Sequence, residues 1–401
     1  MRRMETVKAR IRRTDRSVRP TENLNLAGRT LLSGFFEVDP TGRSYSGPRG
    51  TSPPLICLLI SFAVICAATP SWALEEFRLN DTKTFDVGAA PDIDIETVSG
   101  DVSYTATAGT RATVDIIVVV RAKDEAEARE IRDELGIKVE GRDGLLEAAV
   151  KQRRDFTRWL EELFGKSRTV SVSFHVHGPK GATGEMSSVS GEARISGTTG
   201  SIEISSVSGD VLAEDVSARV KASSVSGSVE VTDCRGPVHA ETVSGDVAVD
   251  SCSGALEAAT VSGSLRATMI AGDVDASTTS GDIRLRSIKG TVAANTISGG
   301  VDVDHEGGSL DLHSVSGDLV AHSAKASGRL TLETVSGSVK VYVNSKDVGD
   351  VRLSSTSGDI QVDTGLRVQR HSRHELSGRL GDGGSELEVS TASGDILLGE
   401  L

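Results

Sequence analysis

From residue 191 to residue 317 a glycine returns every nine residues: Gly191, Gly200, Gly209, Gly227, Gly236, Gly245, Gly254, Gly263, Gly272, Gly281, Gly290, Gly299, Gly308 and Gly317. Only Ala218 fills a grid point without being glycine. A short fixed period that includes a glycine calls for stacked copies of one structural unit, each turning the same corner in the same way. Every second unit carries the fuller form Ser/Thr-x-Ser-Gly, as in Thr242-Val243-Ser244-Gly245, so the true repeat is a pair of units.

Each unit alternates. Two residues after the glycine the side chain is apolar, as at Ile202, Val211, Val220, Val229, Val238 and Val247, and four residues after it apolar and often small, as at Ile204, Ala213, Ala222 and Val231. That is the period of a strand with one buried face. A third inward position is expected two residues before the glycine, at Val207, Val225, Val243, Val261, Ile297 and Val315. Nine residues hold one strand and one turn, so two units close a coil. The expected fold is mainly β: a right-handed parallel β-solenoid of 18-residue coils, each made of two nonapeptide units, behind a small α/β lead-in. About ten coils at ~4.8 Å spacing make a stack on the order of 50 Å long.

Several residues have structural roles in this reading. Gly209, Gly227, Gly245, Gly263, Gly281, Gly299 and Gly317 stand at the corner where a Cβ is crowded or a positive φ is needed. Cys234 and Cys252 lie one full repeat apart, each two before a grid glycine, and are expected as stacked core neighbours. Buried thiols acting as small hydrophobes are the favoured state, with a disulfide the alternative in an oxidising compartment. Two hydroxyl rows, one beginning Ser188, Ser206, Ser224 and the other Ser190, Ser208, Ser226, fit corners where short side chains bond to nearby backbone. After the glycine the order Asp210, Ser228, Asp246, Ser264, Asp282 spaces the carboxylates two coils apart, which lowers their repulsion.

Along the chain, residues 1–54 form an irregular basic leader, long enough to suggest a translation start set too early. Residues 55–68 are an uncharged apolar run, followed by Pro70 and the small-x-small ending Ser71-Trp72-Ala73, so 55–73 reads as a signal peptide, with an uncleaved membrane anchor as the alternative. Residues 74–180 read as the α/β lead-in: a strand over 114–120, a short helix capped by Asp124 and stopped by Gly136, strands over 137–140 and 145–150, an amphipathic helix from about Asp155 to Gly165, and an alternating strand over 170–177. Its expected job is to cap the open strand edges of the stack. Solenoid repeats occupy 181–362, and an irregular stretch with a terminal β rung occupies 363–401.

The chain carries 44 basic and 57 acidic residues; the 11 and 5 within residues 1–54 leave 33 against 52, a charge of −19 after residue 54. Such acidity, with only 3% aromatic residues, argues against nucleic-acid binding. No nucleophile elbow, phosphate loop or H-E-x-x-H occurs, so no catalytic residue, cofactor or metal site is assigned. The nonapeptide lacks the paired glycines and ligand set of calcium-binding β-rolls. His175-x-His177 has no third ligand at recognisable spacing.

The repeated Ser/Thr-Val-Ser-Gly-Asp/Ser-Val motif, as in Thr242-Val243-Ser244-Gly245-Asp246-Val247, resembles the bacterial putative-adhesin family of β-strand-repeat envelope proteins over about residues 90–398. The resemblance implies an extracytoplasmic, non-enzymatic solenoid in the periplasm, at the cell surface or secreted. The expected function is an interaction scaffold with an unidentified envelope or surface partner, protein or glycan. A structural filament joined through the solenoid ends is the alternative, and a polysaccharide-active enzyme a distant third.

Overall fold

The computed structural model describes residues 74–142, 144–150 and 170–401. The leader, the signal peptide and the helix expected near 155–165 lie outside the described residues. The chain divides at residue 67 into two units, and everything below concerns the second.

Two long sheets make this unit, one of 15 strands and one of 16. Between residues 193 and 305 successive repeats pair in parallel, each position against its equivalent one repeat on. Ile202 lies against Val220, Val220 against Val238, and Val238 against Leu256 in one sheet, and Val211 against Val229 and Val229 against Val247 in the other. Side chains at the same repeat position therefore stack into columns. With 15 or 16 strands at ~4.8 Å, the stack is roughly 70 Å long. It is longer than the repeat count predicts because the lead-in adds strands to both sheets.

One coil shows how the core fills. In the strand Leu256–Ser262, Leu256, Ala258 and Thr260 are buried while Glu257 and Val261 face out. In the strand Leu265–Ile270, Leu265, Ala267 and Ile270 are buried. The expected inward valines are thus outward. Val207, Val225, Val243, Val261, Ile297 and Val315 are each 45–52% exposed, and the hydroxyl residue just before each of them is buried instead. Period-two alternation continues unbroken from Leu256, so Thr260 falls inside and Val261 outside. The buried hydroxyl has a partner in coil after coil: Ser206 donates to the Gly191 carbonyl at 3.0 Å, Thr242 to Gly227 at 2.9 Å and Thr260 to Gly245 at 3.0 Å.

The opposite corner obeys another rule. Asp215, Asp233, Ser251, Met269 and Ser287 all have φ between 50° and 59°, and Gly197 takes φ 78° at the same repeat position. This left-handed residue breaks the alternation, so the residue after it turns inward. Val216, Cys234, Cys252, Ile270 and Ile288 accordingly form a buried column. Two unlike corners make one coil, which is the physical origin of the doubled period.

Both ends depart from simple stacking. The strand Asp92–Ser99 already pairs in register with the repeat strand Thr183–Ser190, so the motif at 97–102 is a full rung, separated from the next by an excursion between residues 107 and 183. The described residues of that excursion hold the expected strands and the first expected helix. The strand Arg111–Ala122 pairs antiparallel with Glu75–Asp86 and Val170–Pro179, and Asp124 caps the helix Glu125–Glu134 by accepting from the Glu127 N–H at 2.8 Å. Gly136 at φ 63° ends the turn. At the other end the expected terminal rung is not terminal. Strand Ser385–Ser393 pairs in parallel with both Leu330–Ser336 and Val348–Ser357, and Ile396–Glu400 lies between Val339–Val343 and Ile360–Val362. The chain leaves one rung vacant at residue 344 and fills it with its last strands. The stretch after residue 363 contributes an antiparallel hairpin, Arg367–His371 with Glu375–Arg379, on the outer edge.

Thr260→Val should leave the Gly245 carbonyl without its partner and cost about 1–3 kcal/mol in urea unfolding. Val261→Ser should change stability by no more than about 0.5 kcal/mol. An inward Val261 would instead lose roughly 1.5–3 kcal/mol.

Candidate functional site

The corner of each Ser/Thr-x-Ser-Gly unit is the closest approach between coils. A Cβ built on Gly209 would lie 2.0 Å from the Gly191 carbonyl oxygen, on Gly227 2.1 Å from that of Gly209, and on Gly245 2.1 Å from that of Gly227. On Gly263, Gly281, Gly299 and Gly317 the same contact falls to 1.9 Å. Crowding, not a left-handed φ, is therefore what reserves these positions for glycine. Asp side chains brace the following coil: Asp210 accepts from the Ser228 N–H at 2.8 Å, Asp246 from Ser264 at 2.8 Å and Asp282 from Gly300 at 3.0 Å. The alternation of Asp with a smaller residue thus gives each carboxylate a backbone donor one coil on, besides separating the charges.

Beside this corner the outward valines form a continuous apolar row from Val189 to Val335, interrupted only by Thr279. It lines an open groove of about 740 Å³ over the coils from Ser187 to Thr279, and a further groove of about 610 Å³ carries on to Ala392. The floor is hydroxylic, from Ser188, Ser206, Ser224, Thr242, Thr260 and Thr278. One wall is the valine row itself, followed in sequence by Ser190, Ser208, Ser226, Ser244 and Ser262; the other begins Ser187, Ser205, Ser223, Glu241, Ala259 and Ser277. The chemistry of this surface is contact, apolar and hydroxylic, repeated at every coil. Sequence reasoning missed it by assigning its valines to the core, although strict parity from Ile202 or Leu256 would have found it.

Residues 271–398 match the family model described as Toastrack DUF4097. Over this stretch the chain is similar to Toastrack domains. Among curated proteins none matches the chain. Solved structures similar to it include a "putative cell adhesion protein" from Clostridium sporogenes, 10% identical, covering 81% of this chain and 100% of that one at a TM-score of 0.19. A "putative lipid binding protein" from Parabacteroides distasonis is 13% identical, covering 80% and 96% at 0.25. A "putative adhesin" from Bacteroides fragilis is 14% identical, covering 80% and 97% at 0.25.

The Toastrack match begins midway along the stack, and the same columns run into it unbroken. Upstream of it, Cys234 and Cys252 are buried, free thiols in the inward column of the left-handed corner. A hydrogen bond to Cys252, together with burial, holds the Cys234 thiol above its usual range. Inside the Toastrack stretch His305 follows Ile288 in that column, is 1% exposed, donates through Nε2 to the Gly290 carbonyl at 3.1 Å and faces Ser323 Oγ at 3.4 Å. Burial lowers its pKa. On the outer face Arg286 bonds both oxygens of Asp302, and this pairing holds the Asp302 carboxyl below the usual carboxylate range. His175 lies 2.6 Å from Ser103 Oγ through Nδ1, while His177 is exposed. Among the described residues no group of three His, Cys, Asp or Glu side chains is placed to hold a metal ion.

Two measurements follow from these placements. Gly263→Ala, in mid-stack, should cost at least about 1–3 kcal/mol by overpacking, whereas Gly365→Ala, with open space where the Cβ would go, should stay within about 0.5 kcal/mol. For His305, the folded chain takes up the proton at lower pH than the unfolded chain, whose value is near 6.5. Its contribution is therefore intact above about pH 6.5 and is lost as the pH falls from there through the lower folded-state value. His305→Ile should flatten the fall in melting temperature between about pH 6.5 and 5 relative to the parent chain.

Proposed function

We propose that the protein is an extracytoplasmic, non-enzymatic interaction scaffold of the adhesin type, engaging a protein or glycan of the cell envelope. The observation that carries this reading is repetition of the outer surface. The same exposed columns recur at each coil, so a repetitive surface or polymer meets the same chemistry many times, and individually weak contacts add through high effective concentration. Catalysis asks for the reverse, a few groups made unlike their neighbours and convergent on one point. Here the grooves are open and their linings periodic. The apolar run at 55–68, with the small-x-small ending at 71–73, supports export. Among the described residues no helix is long and apolar enough to cross a membrane.

The charged outer faces suit contacts made at the envelope. On the 16-stranded sheet Glu203 pairs with Lys221 at 2.5 Å, His239 sits between Glu241 and Glu257, and His313 sits between Asp311 and Glu333. These half-exposed pairs are screened by salt and exchange readily for a partner's groups.

Cosedimentation of the full chain with isolated cell envelopes tests the reading. Binding should saturate, fall several-fold between about 50 and 500 mM NaCl, and leave the envelope polymer unchanged in size. Absence of saturable binding, or cleavage of the polymer, overturns it.

A further inference from the structure

Building on the scaffold reading, we propose that the valine row is the contact between two copies of this chain, lying side by side with their stacks antiparallel. The charged sheet faces are then left to the envelope partner.

Spacing is the first reason. From Val189 to Val335 a β-branched side chain projects at every coil, one per ~4.8 Å, and its Val and Ile members are 43–55% exposed. The surface of an ordinary globular partner carries no row of that period, whereas a second copy carries the identical one. Side chains of two such rows can interleave along their whole length, as paired β-ladders do. Antiparallel placement about a two-fold axis makes the interface self-complementary, so that Val189 meets the second copy's Val335 and Val261 lies at the axis facing its own equivalent.

Charge is the second reason. The chain's net charge of −13 makes two copies repel. The valine row and the serine row beside it carry no charge, and the opposite flank is mostly neutral, with Ser205, Ser223, Ala259, Ser277 and Asn295 uncharged and Glu241, His313 and Glu333 the charged or titratable members. Two acidic stacks therefore approach each other at least cost along this strip. Area agrees. A half-exposed Val offers roughly 30–60 Å² to a partner, so the row with its serine flank comes to the order of the ~800 Å² per partner that stable interfaces bury.

The ends offer less. The outermost strands are Glu75–Asp86, Ile137–Arg142 and Arg367–His371, all rich in charge and paired antiparallel to the strand inside them, and the short strand Ile360–Val362. Short or charged edges of this kind oppose end-to-end pairing. Side-by-side contact through the valine row is the route they leave.

Sedimentation equilibrium of the full chain in mild non-ionic detergent, which keeps residues 55–68 from driving association, should show a dimer. The double variant V243K/I297K should weaken dimerisation at least tenfold with an unchanged circular-dichroism melt. A parent chain that is monomeric throughout, or a folded double variant that still dimerises, overturns the proposal. Mild oxidation of V261C supplies a readout independent of that variant's folding: a covalent dimer is expected, and none from E203C on the sheet face. Equal cross-linking of the two, or none from V261C, overturns the proposal as well. Envelope binding by the V243K/I297K monomer is scored separately. Its retention leaves the scaffold reading standing whatever the dimer does, and absence of envelope binding in the parent chain removes that reading without touching the dimer result.

Discussion

The fold depends on how closely one coil can approach the next at the glycine corner. Gly245 and Gly263 bring their backbones so near that a methyl group on the second would sit 1.9 Å from the carbonyl of the first. Only that proximity lets the strands on either side of the corner hydrogen-bond in register with their equivalents in the next coil. It also creates a problem, since the glycine carbonyl is turned toward the interior. The buried hydroxyl of the following coil solves it: Thr260 donates inward to Gly245, just as Ser224 donates to Gly209. Glycine and hydroxyl are thus one device, which is why they recur together.

The second corner reaches the same closure by different means. A left-handed residue such as Asp233 or Met269 inserts an odd step into the alternation and swings the next side chain into the core. Non-glycine residues adopt that conformation at some cost, and five successive coils accept it. What they gain is a continuous buried column from Val216 to Ile288 through both cysteines. The first corner has no such step, so its valines stay outside. The strip that we assign to self-contact is therefore a by-product of how that corner closes, supplied at every coil without any loop built for it.

A solenoid must also stop. Here the two ends use related solutions, each placing antiparallel strands over a last parallel rung. At the start, Glu75–Asp86 and strands from the excursion between residues 107 and 183 lie beyond the first rung, with Arg111–Ala122 antiparallel to both its neighbours. At the finish, the chain overshoots by one rung and returns to fill the gap with Ser385–Ser393 and Ile396–Glu400. The final strands are thereby paired on both sides, which protects from fraying the part of a chain that frays most readily.

Much of this was legible in the residues alone. The glycine period and the alternation between glycines set the parallel stack, the offset of one full repeat between paired strands, the inward placement of Val247 and Val249, and the stacking of Cys234 on Cys252, because each follows from repetition and parity. Asp124 and Gly136 marked the helix ends for the same local reasons. Two matters needed the tertiary structure. One was the face of Val243 and Val261, where apolar character argued for the core but unbroken parity placed Thr242 and Thr260 there, a choice settled by the glycine carbonyl that only the neighbouring coil brings within reach. The other was the order of the last rungs, since identical repeat motifs at residues 336, 357 and 393 can pair with one another equally well in sequence. Only packing in three dimensions decides which of them takes the inner place.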